Sequence, residues 1–187
     1  LMRQNFEIYS NLNIAGMAFC MRSTGPIKTT GISTSDHRDQ MKMNFYRRNN
    51  VLYCEEVAIP DLCHKFGTPA FVYSRSEIEQ NFFSYQRALS GQRHLICYAV
   101  KANSNLAIIN LLARLGSGFD IVSRGELHRV IAAGGDASKV VFSGVGKTPL
   151  EIKEALKIGI RCFNVESKNE LKVLESISSD LDTVAPI

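Results

Sequence analysis

Three residues have types and positions that suggest chemistry. Lys101 closes the apolar run "ICYAV" and is followed at once by the polar turn "ANSN". Asp120 is a carboxylate inside a second apolar run, "GFDIVS", and Glu126 follows it in "RGEL". A lysine held in an apolar setting is costly when charged, so its pKa falls and its neutral amine becomes a nucleophile. Lysines of that kind form Schiff bases with carbonyl compounds. Asp120 can balance such a lysine or accept a hydrogen bond from it. Each residue also has an ordinary structural reading. A solvated lysine often ends a strand, and a strand-end carboxylate often caps a turn. A glutamate in the first turn of a helix is favoured by the helix dipole.

Other chemistries are poorly supported. The five cysteines, Cys20, Cys54, Cys63, Cys97 and Cys162, form no CxxC pair, and His37, His64, His94 and His128 show no ligand spacing. The pattern reads as reduced thiols with no metal site. "VVFSGVGKT" ends like a phosphate loop, but the Walker pattern needs glycine where Val141 stands. "GSGFDI" has Ile121 where a dinucleotide fingerprint needs glycine, and "GVGKTP" has Pro149 there. The net charge of +4 has no long basic run, so no nucleic-acid partner is expected. No run of 18 apolar residues is present, so no membrane span is expected. "NIAGMAFCM" is too short and too interrupted for a signal segment, which points to a cytoplasmic protein.

The elements that must position these residues alternate. Strands are expected at 69–74, 94–100, 118–123, 139–144 and 160–165, with a further one starting at 183. Helices are expected at 77–89 with Ser76 as cap, 105–116, 124–135, 149–159 with Pro149 in the first turn, and 167–178. Ser167 and Glu170 have the spacing of a capping box. The strands are short, nearly continuous apolar runs, as parallel strands covered on both faces should be. The fold class is therefore α/β with a parallel sheet, either a (β/α) barrel or a doubly wound sheet. A whole barrel takes about 200–250 residues, so the roughly four strand–helix units after Thr68 would make about half of one. Strand parity puts Cys97, Ala99 and Lys101 on one face and the larger Ile96, Tyr98 and Val100 on the other. If the larger set meets the helices, Lys101 points into a barrel lined by small residues. Residues 1–42 have no helical or strand period between 22 and 40 and read as a disordered or misassigned extension.

Four ordered blocks, "ICYAVKANSN", "GFDIVSRGEL", "FSGVGKT" and "CFNVES", closely resemble the diaminopimelate decarboxylases. These belong to the alanine-racemase-like, fold-type III group of pyridoxal-phosphate (PLP) enzymes. The resemblance runs from about Met43 to Ile187, and its wording is nearer to this branch than to the ornithine and arginine decarboxylases, which are the alternative. It implies that 69–187 is the N-terminal half of a PLP-binding (β/α)8 barrel, with 43–68 as a strand and helix segment joining a β-sandwich domain. It implies that Lys101 carries the cofactor, that Asp120 lies close beneath it and that Glu126 supports the site. The implied activity is that of a carboxy-lyase of lysine biosynthesis, taking meso-diaminopimelate to L-lysine and CO2, in a homodimeric full-length enzyme. In the family, the histidine stacked on the cofactor, the phosphate-binding loop and the sandwich domain follow the last strand seen here. The chain is accordingly expected to be an incomplete fragment, or else a non-catalytic remnant or PLP-binding piece.

Overall fold

A computed structural model describes residues 44–187, together with the backbone of two earlier strands, β1 (Glu7–Ile8) and β2 (Met17–Arg22). The rest of the extension expected over 1–42 lies outside the described residues. The chain forms two compact units, one of residues 26–88 and one of residues 1–25 with 89–187.

The smaller unit holds an antiparallel meander, β3 (Phe45–Arg48), β4 (Val51–Cys54) and β5 (Val57–Ala58), then helices α1 (Ile59–Phe66) and α2 (Arg75–Ala88). Asn49 and Asn50 both have positive φ, 51° and 63°, which suits the two-residue turn between β3 and β4. Beside that turn, Tyr46 and Tyr53 stack across the ladder with centroids 5.5 Å apart. The α2 cap is Ser74, not the expected Ser76: the Glu77 N–H donates to Ser74 Oγ at 3.1 Å. Ser76 instead donates to Glu55 Oε1 through its N–H, 2.9 Å, and its hydroxyl, 2.8 Å, and Ser74 Oγ donates to the same oxygen at 2.7 Å. The strand expected at 69–74 does not form. Phe71 is 89% exposed, and no strand pairs with this segment among the described residues. An apolar composition without a neighbouring strand leaves the backbone groups no ladder to join.

The larger unit is a six-stranded sheet in the order β1-β2-β6-β7-β8-β9. Strands β6 (His94–Ala99), β7 (Gly118–Ile121), β8 (Val140–Phe142) and β9 (Cys162–Phe163) run parallel and sit side by side in chain order. On its other side β6 pairs antiparallel with β2. Each parallel strand is followed by a helix: α3 (Leu106–Arg114), α4 (Arg124–Ala132), α5 (Pro149–Ile158) and α6 (Lys168–Asp180). Consecutive helices α3 to α6 pack against one another as neighbours, forming one layer. A sequential parallel order with every crossover on one face is the winding of a barrel; a doubly wound sheet would reverse its order. The arrangement is a partial α/β barrel.

Register explains the two faces. Tyr98, Phe119 and Val140 stand side by side, as do Ile121, Phe142 and Phe163. These bulky side chains are almost fully buried, and the Phe142 and Phe163 rings stack 6.0 Å apart. The opposite face carries Cys97, Ala99, Gly118, Asp120, Val141 and Cys162. Gly118 is required there, because a Cβ would lie 2.6 Å from the Lys139 carbonyl oxygen and 2.7 Å from Cys97 Sγ.

Helix starts follow the polar residues that precede them. Asn105, Ser123, Thr148 and Ser167 each accept a backbone N–H two or three residues on. Thr148 and Glu151 close a reciprocal capping box. The box expected at Ser167 forms only by half. Ser167 Oγ accepts the Glu170 N–H at 3.1 Å, but the Glu170 carboxylate turns away to Lys147. The segment at 183–187 has no strand of its own, although the Pro186 carbonyl accepts the Phe163 N–H at 2.8 Å.

Candidate active site

The small-residue face leads to a polar cluster at the C-terminal ends of the parallel strands. Asp120 stands beside Ala99 on β6 and Val141 on β8, and Val141 stands beside Cys162 on β9. Just beyond the strand ends stand Lys101, in the turn after β6, Ser143, after β8, and Asn164, after β9. The Ser143 hydroxyl donates to Asp120 Oδ1, and Asn164 Nδ2 donates to Ser143 Oγ at 2.8 Å. One hydrogen-bonded row thus crosses three strand ends.

Burial pushes the Asp120 carboxyl above its ordinary value, against the Ser143 hydrogen bond and the charges of Lys101 and Lys147, which pull it down. Lys101 is therefore within electrostatic reach of Asp120. It differs from expectation in its surroundings. β6 ends at Ala99, and Val100–Ala102 form a turn of 3₁₀ helix that leaves Lys101 exposed. The burial on which the sequence argument for a reactive amine rests is not found at this side chain. Parity arguments hold only while a strand continues, and here it stops two residues early. The turn is tied down behind it: Tyr98 Oη donates to the Asn103 carbonyl at 3.1 Å, and Asn103 Oδ1 accepts the Asn105 N–H at 3.0 Å.

Glu126 serves the start of α4. Its Oε2 accepts the Val122 N–H at 2.7 Å, and its own N–H donates to Ser123 Oγ at 3.3 Å. It thus fixes the turn between β7 and α4, two residues beyond Asp120. Sequence reasoning gave no site role to Ser143, Asn164 or Lys147, and gave Glu170 only that of a capping glutamate. Ser143 and Asn164 could have been found by extending strand parity from Asp120 across the sheet, but only once the register was known.

The family model of the pyridoxal binding domain of pyridoxal-dependent decarboxylases matches residues 75–185. The chain belongs to that family. Among the relatives of this family, a diaminopimelate decarboxylase of Pseudomonas aeruginosa is 55% identical over 143 residues, covering 76% of this chain and 34% of that protein. The crystal structure of the Helicobacter pylori diaminopimelate decarboxylase complexed with L-lysine is similar with a TM-score of 0.66 and 48% identity, over 67% of this chain and 32% of that one. A lysine/ornithine decarboxylase of Vibrio vulnificus complexed with cadaverine is more distant, at 26% identity and a TM-score of 0.59, over 65% of this chain and 33% of that one. The chain spans about a third of the length of these decarboxylases.

The donor set at the strand ends fits the pyridoxal group. It offers an exposed primary amine, a carboxylate within its electrostatic reach, and a hydroxyl and an amide in line with that carboxylate. No helix among the described residues is long and apolar enough to cross a membrane.

Proposed function

We propose that this chain supplies the lysine-bearing half of the PLP site in a diaminopimelate decarboxylase, which removes one carboxylate of meso-diaminopimelate as CO2 and leaves L-lysine. The observation that carries this reading is the alignment of Lys101, Asp120, Ser143 and Asn164 at the ends of successive parallel strands. The catalytic face of a barrel lies at that end. The substrate branch rests on identity, which is 55% to a diaminopimelate decarboxylase and 26% to a lysine/ornithine enzyme.

Lys101 is the residue that carries the cofactor, and its exposure at the mouth lets the amine reach an incoming aldehyde. Asp120 balances positive charge next to it, with Ser143 holding one carboxylate oxygen in place. Glu126 acts from behind, keeping Val122 and hence the end of β7 fixed. Bound PLP supplies an electron sink for the pair left behind when the carboxylate departs. Residues 43–68 join the barrel to the sandwich domain, and the whole enzyme works as a homodimer on a free amino acid.

The test is trapping with mass mapping. The protein is mixed with PLP, reduced with borohydride and digested. The label is expected on the peptide containing Lys101. A label confined to another lysine, or none, counts against the assignment. CO2 release from meso-diaminopimelate but not from ornithine or arginine then fixes the branch, and the reverse preference overturns it.

A further inference from the structure

Lys147 and Glu170 are the most deeply buried charged pair among the described residues. Their side chains are 1% and 7% exposed, and Lys147 Nζ lies 2.6 Å from Glu170 Oε1. The other two hydrogen bonds of the ammonium go to main-chain carbonyls, Gly144 O at 2.8 Å and Asn164 O at 2.7 Å. All three donors of the ammonium are thus used, and it also lies 5.8 Å from the centre of the Phe142 ring. The loop that returns Lys147 to this position turns through Gly144 and Gly146, whose φ values are 87° and 77°. A pair of this kind is an indirect way to gain stability, since an apolar pair of equal volume usually does as well or better. What it provides is a fixed geometry, and the two carbonyls it grips show which one. Gly144 directly follows Ser143, and Asn164 is the residue whose side chain donates to Ser143 Oγ. With an Asn164 N–H occupying the Ser143 oxygen, the Ser143 hydroxyl proton is left to point at Asp120.

We propose that Lys147, held by Glu170, is a positioning residue that sets the Ser143–Asn164 pair and through it the hydrogen bond to Asp120. The link to catalysis rests on the function proposed above; the link to Asp120 does not. The charged groups that face Asp120 are Lys101, after β6, and Lys147 itself, in the loop after β8.

The test is the double variant Lys147→Met with Glu170→Leu in the intact protein. It leaves no unpaired buried ion, and it is made both with Ser143 present and in a Ser143→Ala background, because the Lys147 charge that faces Asp120 is lost equally in both. Thermal melting shows whether the variant is folded. The Asp120 carboxyl is titrated by carbon-13 NMR. In a folded double variant the Asp120 midpoint is expected to rise more with Ser143 present than in the Ser143→Ala background, because only there is the Ser143 hydrogen bond weakened as well as the Lys147 charge lost. An equal rise in the two folded backgrounds overturns the proposal. The wild-type protein gives a second reading if the variant does not fold. The Lys147 ammonium protons should exchange with solvent far more slowly than those of surface lysines, and exchange at the surface rate also overturns it. In an active wild-type enzyme, the double variant lowers kcat by about ten- to a hundredfold with KM little changed. A whole enzyme containing this chain that releases no CO2 refutes the proposed function and leaves the Asp120 titration to decide the positioning role.

Discussion

Asp120, the carboxylate proposed to lie beside the cofactor, is held at a cost in stability. Its carboxyl is pushed above the ordinary value of 3.8 by burial, with Ser143 and the two lysines opposing. The native state therefore keeps this proton to a higher pH than the unfolded chain does. Between the two values the native state binds more protons, so this residue's contribution to stability falls as pH rises through that window. Asp120→Asn removes the buried charge and can still accept from Ser143. It is expected to melt a few degrees above wild type at neutral pH, with the gain shrinking in mild acid, while decarboxylation is lost. Paired thermal melts across that range check the sign. A variant less stable than wild type at neutral pH would show that the ionised carboxylate is the better-held form.

At the scale of elements, each candidate site residue depends on how its strand hands over to the next helix. The clearest handover is at α5. Thr148 Oγ1 accepts the Glu151 N–H at 3.3 Å, and Glu151 Oε2 accepts the Thr148 N–H at 2.9 Å. Glu151 Oε1 reaches the Arg124 N–H at 3.0 Å, so one glutamate serves the starts of both α4 and α5. Burial raises the Glu151 carboxyl, but these hydrogen bonds outweigh it and the net displacement is downward. A depressed carboxylate contributes stability above its ordinary value of 4.5 and loses it as pH falls through the depressed one. Thr148→Ala should cost about 0.5–2 kcal/mol, read as a lower urea midpoint with an unchanged slope. The loss should be smaller in acid, where Glu151 is protonated in both proteins.

At the scale of the molecule, the sheet separates two tasks between its faces. The helix-facing side is bulky and closed, and the opposite side is small and polar towards the strand ends. The first carries the largest buried side chains, and the second carries Asp120 and leads to Ser143 and Asn164. Phe142 is 0% exposed and stacks on Phe163 at the centre of the closed face. Phe142→Ala should cost about 3–5 kcal/mol, a large part of the 5–15 kcal/mol typical of a whole domain. Chemical denaturation measures it. A loss below about 1 kcal/mol would mean that the space collapses and that the bulky face is less tightly packed than its burial indicates.

Local chemistry made much of this protein legible in its sequence. The helices at α3 to α6 were visible because caps, helical period and terminal glycines act within a few residues. The alternation of short apolar runs with helices pointed to a parallel α/β sheet for the same reason. Lys101 and Asp120 stood out because a charge in an apolar run is costly when buried, and the four motif blocks set them apart from ordinary strand-end residues. The rest depended on contacts between residues far apart in the chain. Whether "PAFVYS" forms a strand depends on a neighbour, and its own composition cannot supply one. Where β6 ends decides whether Lys101 is buried or exposed, and that end lies two residues before the parity argument assumed. Glu170 had the spacing of a capping glutamate, but 23 residues away Lys147 offered a full charge in a dry setting, and the stronger electrostatic partner won. Ser143 and Asn164 joined Asp120 only through the register of β7, β8 and β9, which parallel strands set by packing across the sheet.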